Sequence, residues 1–495
     1  LLREQNRLLL ARLYGRSSER FDESKSDVQQ LSLFQTDRAS TTNETGGSSQ
    51  KRTTVSSHSR GKGGRKELPE WLPRIDTVID IPENEKVCGC GACKNVIGKE
   101  EAEKLDMTPA QFQVLRQIRL KYGCPNCEGI HDLPGRSAIT VAPVPAQIIP
   151  KAIASSRLLA HLVTGKFVDA IPFYRQEGQL ERLGVHIGRG TMCRWMVQLA
   201  DACEPLMAVL RDEVRSGKVI HVDETTLQVL KEIGRSASAL SYLWVFVGGT
   251  ADKPAVEFVY QPTRRGSVAA EYLEGFEGAV LTDAYAGYEF LAALALVVHV
   301  LCWAHVRRNF HDVVKAAGSR HAIGGVAHEA MEKIRALYAV EARARELEMN
   351  PEQVRELRQA ESKPMLERFR TWLEEKREAA PPRSLLGKAL RYPLNHWPQL
   401  TRYLDHGDVA IDNNRAENAI RPVAVGRKNW LFAETPDGAR ASATLFSLVE
   451  TAKANRIEPY QYLCCLFERL PLATTAEEYR ALLPQHIDRG LLIPP

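Results

Sequence analysis

Residues 218–229 constrain this chain more than any other stretch. They alternate like a half-buried strand, yet the centre holds Asp223 and Glu224, where a plain strand places another β-branched residue. Residues 278–288 form a second strand-like run that also arrives at an acid, Asp283. Between them, residues 241–249 and 255–260 read as strands joined by short turns, an antiparallel meander, and residues 266–276 read as a helix. Residues 294–302 supply a fifth strand.

Strands followed by helix, strand, helix and strand give an α/β order consistent with a ribonuclease-H-like sheet. In such a sheet the first strand and the later parallel strand lie side by side, which brings Asp223 and Asp283 together. A third acid, Glu417, lies far downstream in Ile411-Asp412-Asn413-Asn414-Arg415-Ala416-Glu417. Three carboxylates on separate elements suit the holding of divalent cations against a phosphodiester.

Each acid also has a plainer reading. Asp223 caps a turn, with Glu224 the true ligand; Asp283, ahead of Ala-Tyr-Ala-Gly, makes an Asx-turn. Asn414 caps a helix with Glu417 in the capping-box position, while Asp408 and Asp412 stand nearby as substitute ligands. His305, Arg307 and Arg308 follow the fifth strand and suit the gripping of a scissile phosphate, or are a satisfied histidine and surface arginines. Arg421, one helical turn beyond Glu417, and Lys428 carry the same two readings.

The core stretch, residues 217–305, is interrupted. Residues 306–405 form a helical insertion, in which Ala327, Met331, Ile334 and Tyr338 recur at helical spacing and Pro381-Pro382 breaks the pattern. Residues 406–440 bring the second part of the core with Glu417, and residues 441–495 read as a C-terminal helical tail. At 495 residues the chain is too long for one ordinary core. Its 44% apolar and 26% charged content describes a soluble globular protein, with no apolar run approaching a membrane span and no signal-peptide pattern at its start. The net charge of +5 is only mildly basic. Charge points to a partner only locally, where residues 51–66 hold Lys51, Arg52, Arg60, Lys62, Arg65 and Lys66 and no acid.

Residues 1–14 are leucine-rich and amphipathic. The chain opens at Leu1 rather than at Met, and this piece reads as the remnant of a helix that pairs subunits, or as a short helix packed on its own domain. Residues 15–66 are a flexible linker by composition, and its basic last third suits a phosphate backbone. Residues 67–145 hold two knuckles, Cys90-Gly91-Ala92-Cys93 and Cys124-Pro125-Asn126-Cys127, with 30 residues between Cys93 and Cys124. Zinc needs four soft ligands in a tetrahedron and each knuckle supplies two thiolates, so a zinc-ribbon-like module with a structural site is expected. Cys88 is a spare, able to replace Cys90. The run 112–122 alternates as a strand leading into the second knuckle. Residues 146–216 read as helical. One helix ends before Gly184 and another opens at Val185 and carries Arg189, Thr191 and Arg194. That is a helix-turn-helix pattern, suited to DNA binding or to a structural hairpin.

In this order, the motifs resemble the insertion-sequence-66 family of transposases, a branch of the Asp-Asp-Glu transposases. The resemblance covers nearly the whole chain. It takes in Tyr14-Gly15-Arg16-Ser17-Ser18-Glu19-Arg20, the cysteine knuckles, His221-Val222-Asp223-Glu224-Thr225 and Asp283-Ala284-Tyr285-Ala286-Gly287-Tyr288. It continues through Cys302-Trp303-Ala304-His305-Val306-Arg307-Arg308 and Asn413-Asn414-Arg415-Ala416-Glu417-Asn418-Ala419-Ile420-Arg421-Pro422. It implies a ribonuclease-H-like catalytic core with Asp223, Asp283 and Glu417 as an acidic triad for Mg²⁺ or Mn²⁺, beside structural Zn²⁺. It implies cutting at the ends of a DNA element to free 3′-hydroxyls, and joining of those ends to target DNA. At least a dimer on DNA, small accessory proteins from the same element and a place in the cytoplasm with the nucleoid follow. Two other classes stand beside it: a zinc-dependent DNA-binding protein without catalysis, and a nuclease of the same fold that lacks strand transfer.

Overall fold

A computed structural model describes residues 112–123, 139–317 and 324–492. The leucine-rich helix, the basic linker and the knuckle cysteines Cys88, Cys90, Cys93, Cys124 and Cys127 lie outside the described residues. The elements that follow belong to one compact unit, Val114–Pro495. Strand β1 (Lys121–Gly123) pairs antiparallel with β2 (Ile139–Val141). The strand expected over residues 112–122 is therefore much shorter. Val114, Leu115 and Ile118 are exposed, so among the described residues no packed face supports a longer one.

The central sheet has five strands in the order β5-β4-β3-β6-β7. They are β3 (Val219–Gln228), β4 (Leu240–Gly249), β5 (Pro254–Gln261), β6 (Gly278–Thr282) and β7 (Val297–Leu301). The first three form the antiparallel meander, while β3, β6 and β7 run parallel. Strand β6 enters against β3 very closely. A Cβ at Gly278 (φ +144°) would lie 2.4 Å from the Lys218 carbonyl oxygen, which only glycine avoids.

Both faces are covered. On one, Ile220, Val222 and Val280 pack with α1 (Ser156–Phe167), α2 (Phe173–Arg182), α3 (Arg189–Ala202), α4 (Glu204–Arg215) and α5 (Ser267–Tyr272). On the other, Ala279 and Leu281 pack with α6 (Trp303–Ala317), α7 (Val326–Glu346), α9 (Lys363–Glu378), α10 (Leu385–Asn395) and α11 (Trp397–Thr401), while the short α8 (Pro351–Leu357) between α7 and α9 buries none of its residues. The alternation of a strand sends neighbouring residues to opposite faces, so one β6 sequence serves both clusters.

Between α8 and α9, Arg358–Ser362 widens into a π-helical turn. Arg358 there is buried, holds Glu341 through two bonds of 2.8 and 2.6 Å, and donates to the carbonyls of Tyr403 and His406. This pair anchors the stretch that leads back to the sheet. Next come α12 (Asn414–Trp430), α13 (Pro436–Ala454) and α14 (Pro459–Arg469).

Residues 441–495 read as a tail in the sequence, but α13 closes the open edge of the sheet. Phe258 N–H donates to Ser447 Oγ at 2.7 Å, and Thr451 Oγ1 accepts from Val256 N at 3.1 Å and donates to Val256 O at 3.0 Å. Asn455 Nδ2 donates to Pro254 O at 2.7 Å. Outward-facing backbone groups recur every second residue of β5, about 6.7 Å apart, and one helical turn of four residues rises about 6 Å. The two repeats match closely enough for one helix face to satisfy an edge strand.

Candidate active site

Strand β3 carries Asp223 and β6 ends just before Asp283. In the parallel register Val219 lies opposite Ala279 and His221 opposite Leu281, so Asp223 and Asp283 follow at the same level and on the same face. Asp283 closes an Asx-turn, its Oδ1 accepting from Tyr285 N at 3.0 Å. The turn aims the carboxylate and does not exclude a second role for Oδ2.

Glu417 arrives on the first turn of α12, and four bonds fix that turn to the sheet. Trp303 N donates to Ile411 O at 3.1 Å. Asn413 Nδ2 donates to Val222 O at 2.9 Å, and its Oδ1 lies 3.0 Å from His221 Nδ1. Asn413 N donates to Cys302 Sγ at 3.1 Å. The capping box expected from Asn414 and Glu417 does not form: the N-cap is Asn413, and Asp412 takes the Asn414 amide at 3.2 Å. Glu417 is thereby released from capping. Its Oε2 accepts from Arg308 at 3.0 Å, and its Oε1 lies 3.7 Å from His305 Nε2.

The rival acids are engaged elsewhere. Glu224, adjacent to Asp223, points to the opposite face. Its side chain is 1% exposed and held by Arg264 and by Tyr288 OH at 2.5 Å. Arg264 stacks on Tyr285 with its Cζ 3.7 Å from the ring centroid, and it lies 3.9 Å from Asp283 Oδ2. Asp408 pairs with Lys218 at 3.8 Å, just before the start of β3, five residues before Asp223. That is about 16 Å along the strand. Asp412 accepts from Asn414 and from the Tyr338 hydroxyl.

Charge crowding is the main electrostatic feature. Burial first, then Glu224, Asp283 and Glu417, push Asp223 up to about 7, against the pull of the Glu224 amide. Burial lowers His305, which Glu417 and Asp283 partly offset. Carboxylates held this close repel one another unless a cation lies between them. Hard oxygen donors of this kind fit Mg²⁺ or Mn²⁺. The buried Glu417 Oε1 accepts no hydrogen bond, an opening of the kind a cation fills.

The remaining expected residues fall in two groups. His305 and Arg308 meet at Glu417, and Arg307 is exposed on the same helix. Arg421 and Lys428 are both exposed on α12. At 100° per residue they share the face of Glu417. The second helix of the hairpin opens at Arg189 rather than Val185, because Ile187 is buried in the turn and Glu177 takes the Arg189 amide at 3.0 Å. Arg189 and Arg194 are exposed and Thr191 is half-buried. Arg189 lies near Cys193 and Glu434, beyond the far end of α12 from Glu417. Arg264, Tyr288, Asn413 and Cys302 are site neighbours to which sequence reasoning gave no role, and Glu224, weighed there as the ligand in place of Asp223, is turned away from the site. Strand alternation alone separates Glu224 from Asp223; the others are joined only by long-range contacts.

The family model described as "Transposase IS66 family" matches residues 151–441. The IS66 C-terminal element matches residues 447–485, and "Transposase C of IS166 homeodomain" matches residues 1–77. The zinc-finger binding domain of transposase IS66 matches residues 85–128, a span that contains all five knuckle cysteines. Among curated proteins, the uncharacterized protein y4jD of Sinorhizobium fredii is 32% identical over 430 residues, covering 84% of this chain and 81% of that protein. The uncharacterized protein y4qI of the same organism is 32% identical over 439 residues, covering 85% and 77%. No helix among the described residues is long and apolar enough to cross a membrane.

Proposed function

This chain belongs to the IS66 transposase family, and we propose that it cuts the ends of its element and joins them to target DNA by metal-dependent transesterification. The observation that carries the reading is the Asp223–Asp283 pair just past the parallel pairing of β3 with β6, with Glu417 close enough to raise Asp223. The strand order, three antiparallel strands continued by two parallel ones, supports a ribonuclease-H-like core. Asp223, Asp283 and Glu417 would hold Mg²⁺ or Mn²⁺, which when bound activates the attacking oxygen and stabilises the leaving one.

The chain's own residues orient the DNA. Arg421 and Lys428 continue the Glu417 face of α12 and receive the phosphate backbone. Arg307 and Arg308 stand at the scissile phosphate, and Arg308 trades Glu417 for a phosphate oxygen when DNA enters. Arg189, Thr191 and Arg194 present the hairpin to the element end, with the zinc module (Cys90 or Cys88, Cys93, Cys124, Cys127) as a structural support. Water attacks first and leaves a 3′-hydroxyl; that hydroxyl then attacks a target phosphodiester, so no covalent protein intermediate forms. Two ends require at least a dimer on DNA, in the cytoplasm with the nucleoid, and small proteins from the same element join it.

The test is strand cleavage and joining on DNA carrying the sequences that flank this gene, with Mg²⁺, Mn²⁺ or EDTA. Metal-dependent cutting and joining, lost in Asp223→Ala, Asp283→Ala and Glu417→Ala while DNA binding persists, supports the reading. Cutting without joining indicates a nuclease, and binding without cutting indicates a DNA-binding protein.

A further inference from the structure

Glu417 divides its two oxygens between unlike neighbours. Oε2 is held by Arg308, whereas Oε1 is buried without a hydrogen bond and faces His305. Cys302 sits directly before α6, and the Asn413 amide at 3.1 Å and the His305 amide both point at its Sγ. His305 Nδ1 is likewise buried without a partner. The Cys302 sulfur, a His305 ring nitrogen and a Glu417 oxygen all lie within 4.8 Å of one another.

This donor set differs in kind from the oxygen cluster of Asp223 and Asp283. A thiolate, an imidazole and one carboxylate, with water as the fourth ligand, match zinc and its thiophilic relatives; magnesium takes thiolates poorly. Burial pushes the Cys302 thiol up to about 12 against the pull of the two backbone amides, so the sulfur gives up its proton only to an ion that bonds it directly. With Oε2 held by Arg308, an ion on Oε1 beside His305 competes with the Asp223–Asp283 set for Glu417.

We propose that Cys302, His305 and Glu417 form a second cation site, selective for zinc-class ions, whose occupation draws Glu417 away from the Asp223–Asp283 pair and so inhibits the enzyme. The inhibitory half rests on Glu417 acting with those two acids; the binding half does not. Binding transfers the Cys302 thiol proton to solvent and forms sulfur, nitrogen and oxygen bonds to the ion, with no redox step. Arg308 keeps Oε2 and becomes the residue that steadies the withdrawn carboxylate.

The experiment is equilibrium dialysis of the full chain against Zn²⁺, and against Cd²⁺, whose bond to a thiolate absorbs in the near ultraviolet. The expected result is one ion per chain more in the native chain than in Cys302→Ser or His305→Gln, with the cadmium band reduced in step. Cys124→Ser tests the separate zinc module and keeps the Cys302-dependent ion. In the cleavage assay at fixed Mg²⁺, the zinc concentration that halves the rate rises roughly 100-fold in Cys302→Ser, since even outer neighbours of a ligand are worth about 10–100-fold. Equal ion counts in the native chain and in both folded variants overturn the site, and show that His305 merely pairs with Glu417. Loss of the extra ion in Cys302→Ser without relief of inhibition overturns the switch. A chain that cuts no DNA with any metal, yet shows the dialysis difference, refutes the proposed function and leaves the site standing.

Discussion

Asp223 and Asp283 stand level on adjoining parallel strands, two residues past the pairing of His221 with Leu281. Nothing in the sheet needs two acids there, and burial together with the neighbouring acids raises Asp223 to about 7. A divalent cation placed between them therefore stabilises the folded chain. At about 100 times its dissociation constant, Mg²⁺ adds roughly 2.7 kcal/mol. Thermal melts with and without Mg²⁺ should show an upward shift in the native chain and none in Asp223→Asn or Asp283→Asn. A native chain indifferent to Mg²⁺ and Mn²⁺ would sink the ligand reading of this pair.

Glu224 predicts the opposite pattern. Its carboxylate is sealed by Arg264 and Tyr288 on the other face of β3. Tyr288→Phe removes one charge-assisted hydrogen bond and lowers stability by about 1.5–3 kcal/mol. The Mg²⁺-induced shift survives in this variant, because the acids that make it face away. Chemical denaturation, repeated with Mg²⁺, separates the two effects; a lost Mg²⁺ shift would place Glu224 among the ligands.

These contrasts show what was legible in the chain. A strand's period of two and a parallel neighbour suffice to place Asp223 beside Asp283, and the same period puts Glu224 on the far side. Local rules failed where two acceptors competed for one amide. Asn414 followed by Glu417 fits a capping box, but Asp412 takes that amide and Glu417 turns to His305 and Arg308. The tail reading of residues 441–495 has a similar cause. Ser447, Thr451 and Asn455 are polar at helical spacing and look like a solvent face, yet all are buried against the β5 edge. Only the strand order reveals that β5 has an edge to cover.

That edge supplies a third prediction. Thr451→Val keeps the shape of the side chain and strips both bonds to Val256, leaving its buried N–H and C=O without partners. The cost is about 1–3 kcal/mol. An exposed edge strand also invites pairing with another chain, so the variant should aggregate earlier on heating. Urea denaturation and light scattering during a melt check both effects. A change below about 0.5 kcal/mol, the range of an ordinary surface substitution, would mean that water replaces the hydroxyl.

Two buried imidazoles set the acid limit of the fold. On β7, His299 lies 2.8 Å from Thr282 Oγ1, whose own proton goes to the Asp283 carbonyl. The network therefore assigns a proton to Nε2, and burial keeps the ring neutral. His221 likewise donates from Nδ1, to Asn413 Oδ1, whose amide nitrogen is turned to Val222 O. Burial above all lowers His299 from 6.5 to about 4 and His221 from 6.5 to about 3. Between those values and 6.5 the unfolded chain binds more protons than the folded one. Stability is therefore complete above 6.5 and falls as the pH drops towards 3–4. The part due to His299 is about 3 kcal/mol. Asp223 works in the opposite direction in metal-free protein: its raised value favours the folded chain at low pH, and that contribution fades as the pH rises from 3.8 through about 7. Denaturation across pH 4–8 in EDTA should thus give a shallow profile, and Asp223→Asn should expose the steeper acid loss of the histidines. His299→Gln then flattens that loss. An acid limb unchanged by His299→Gln would show that the ring is charged in the fold and that another group sets the limit.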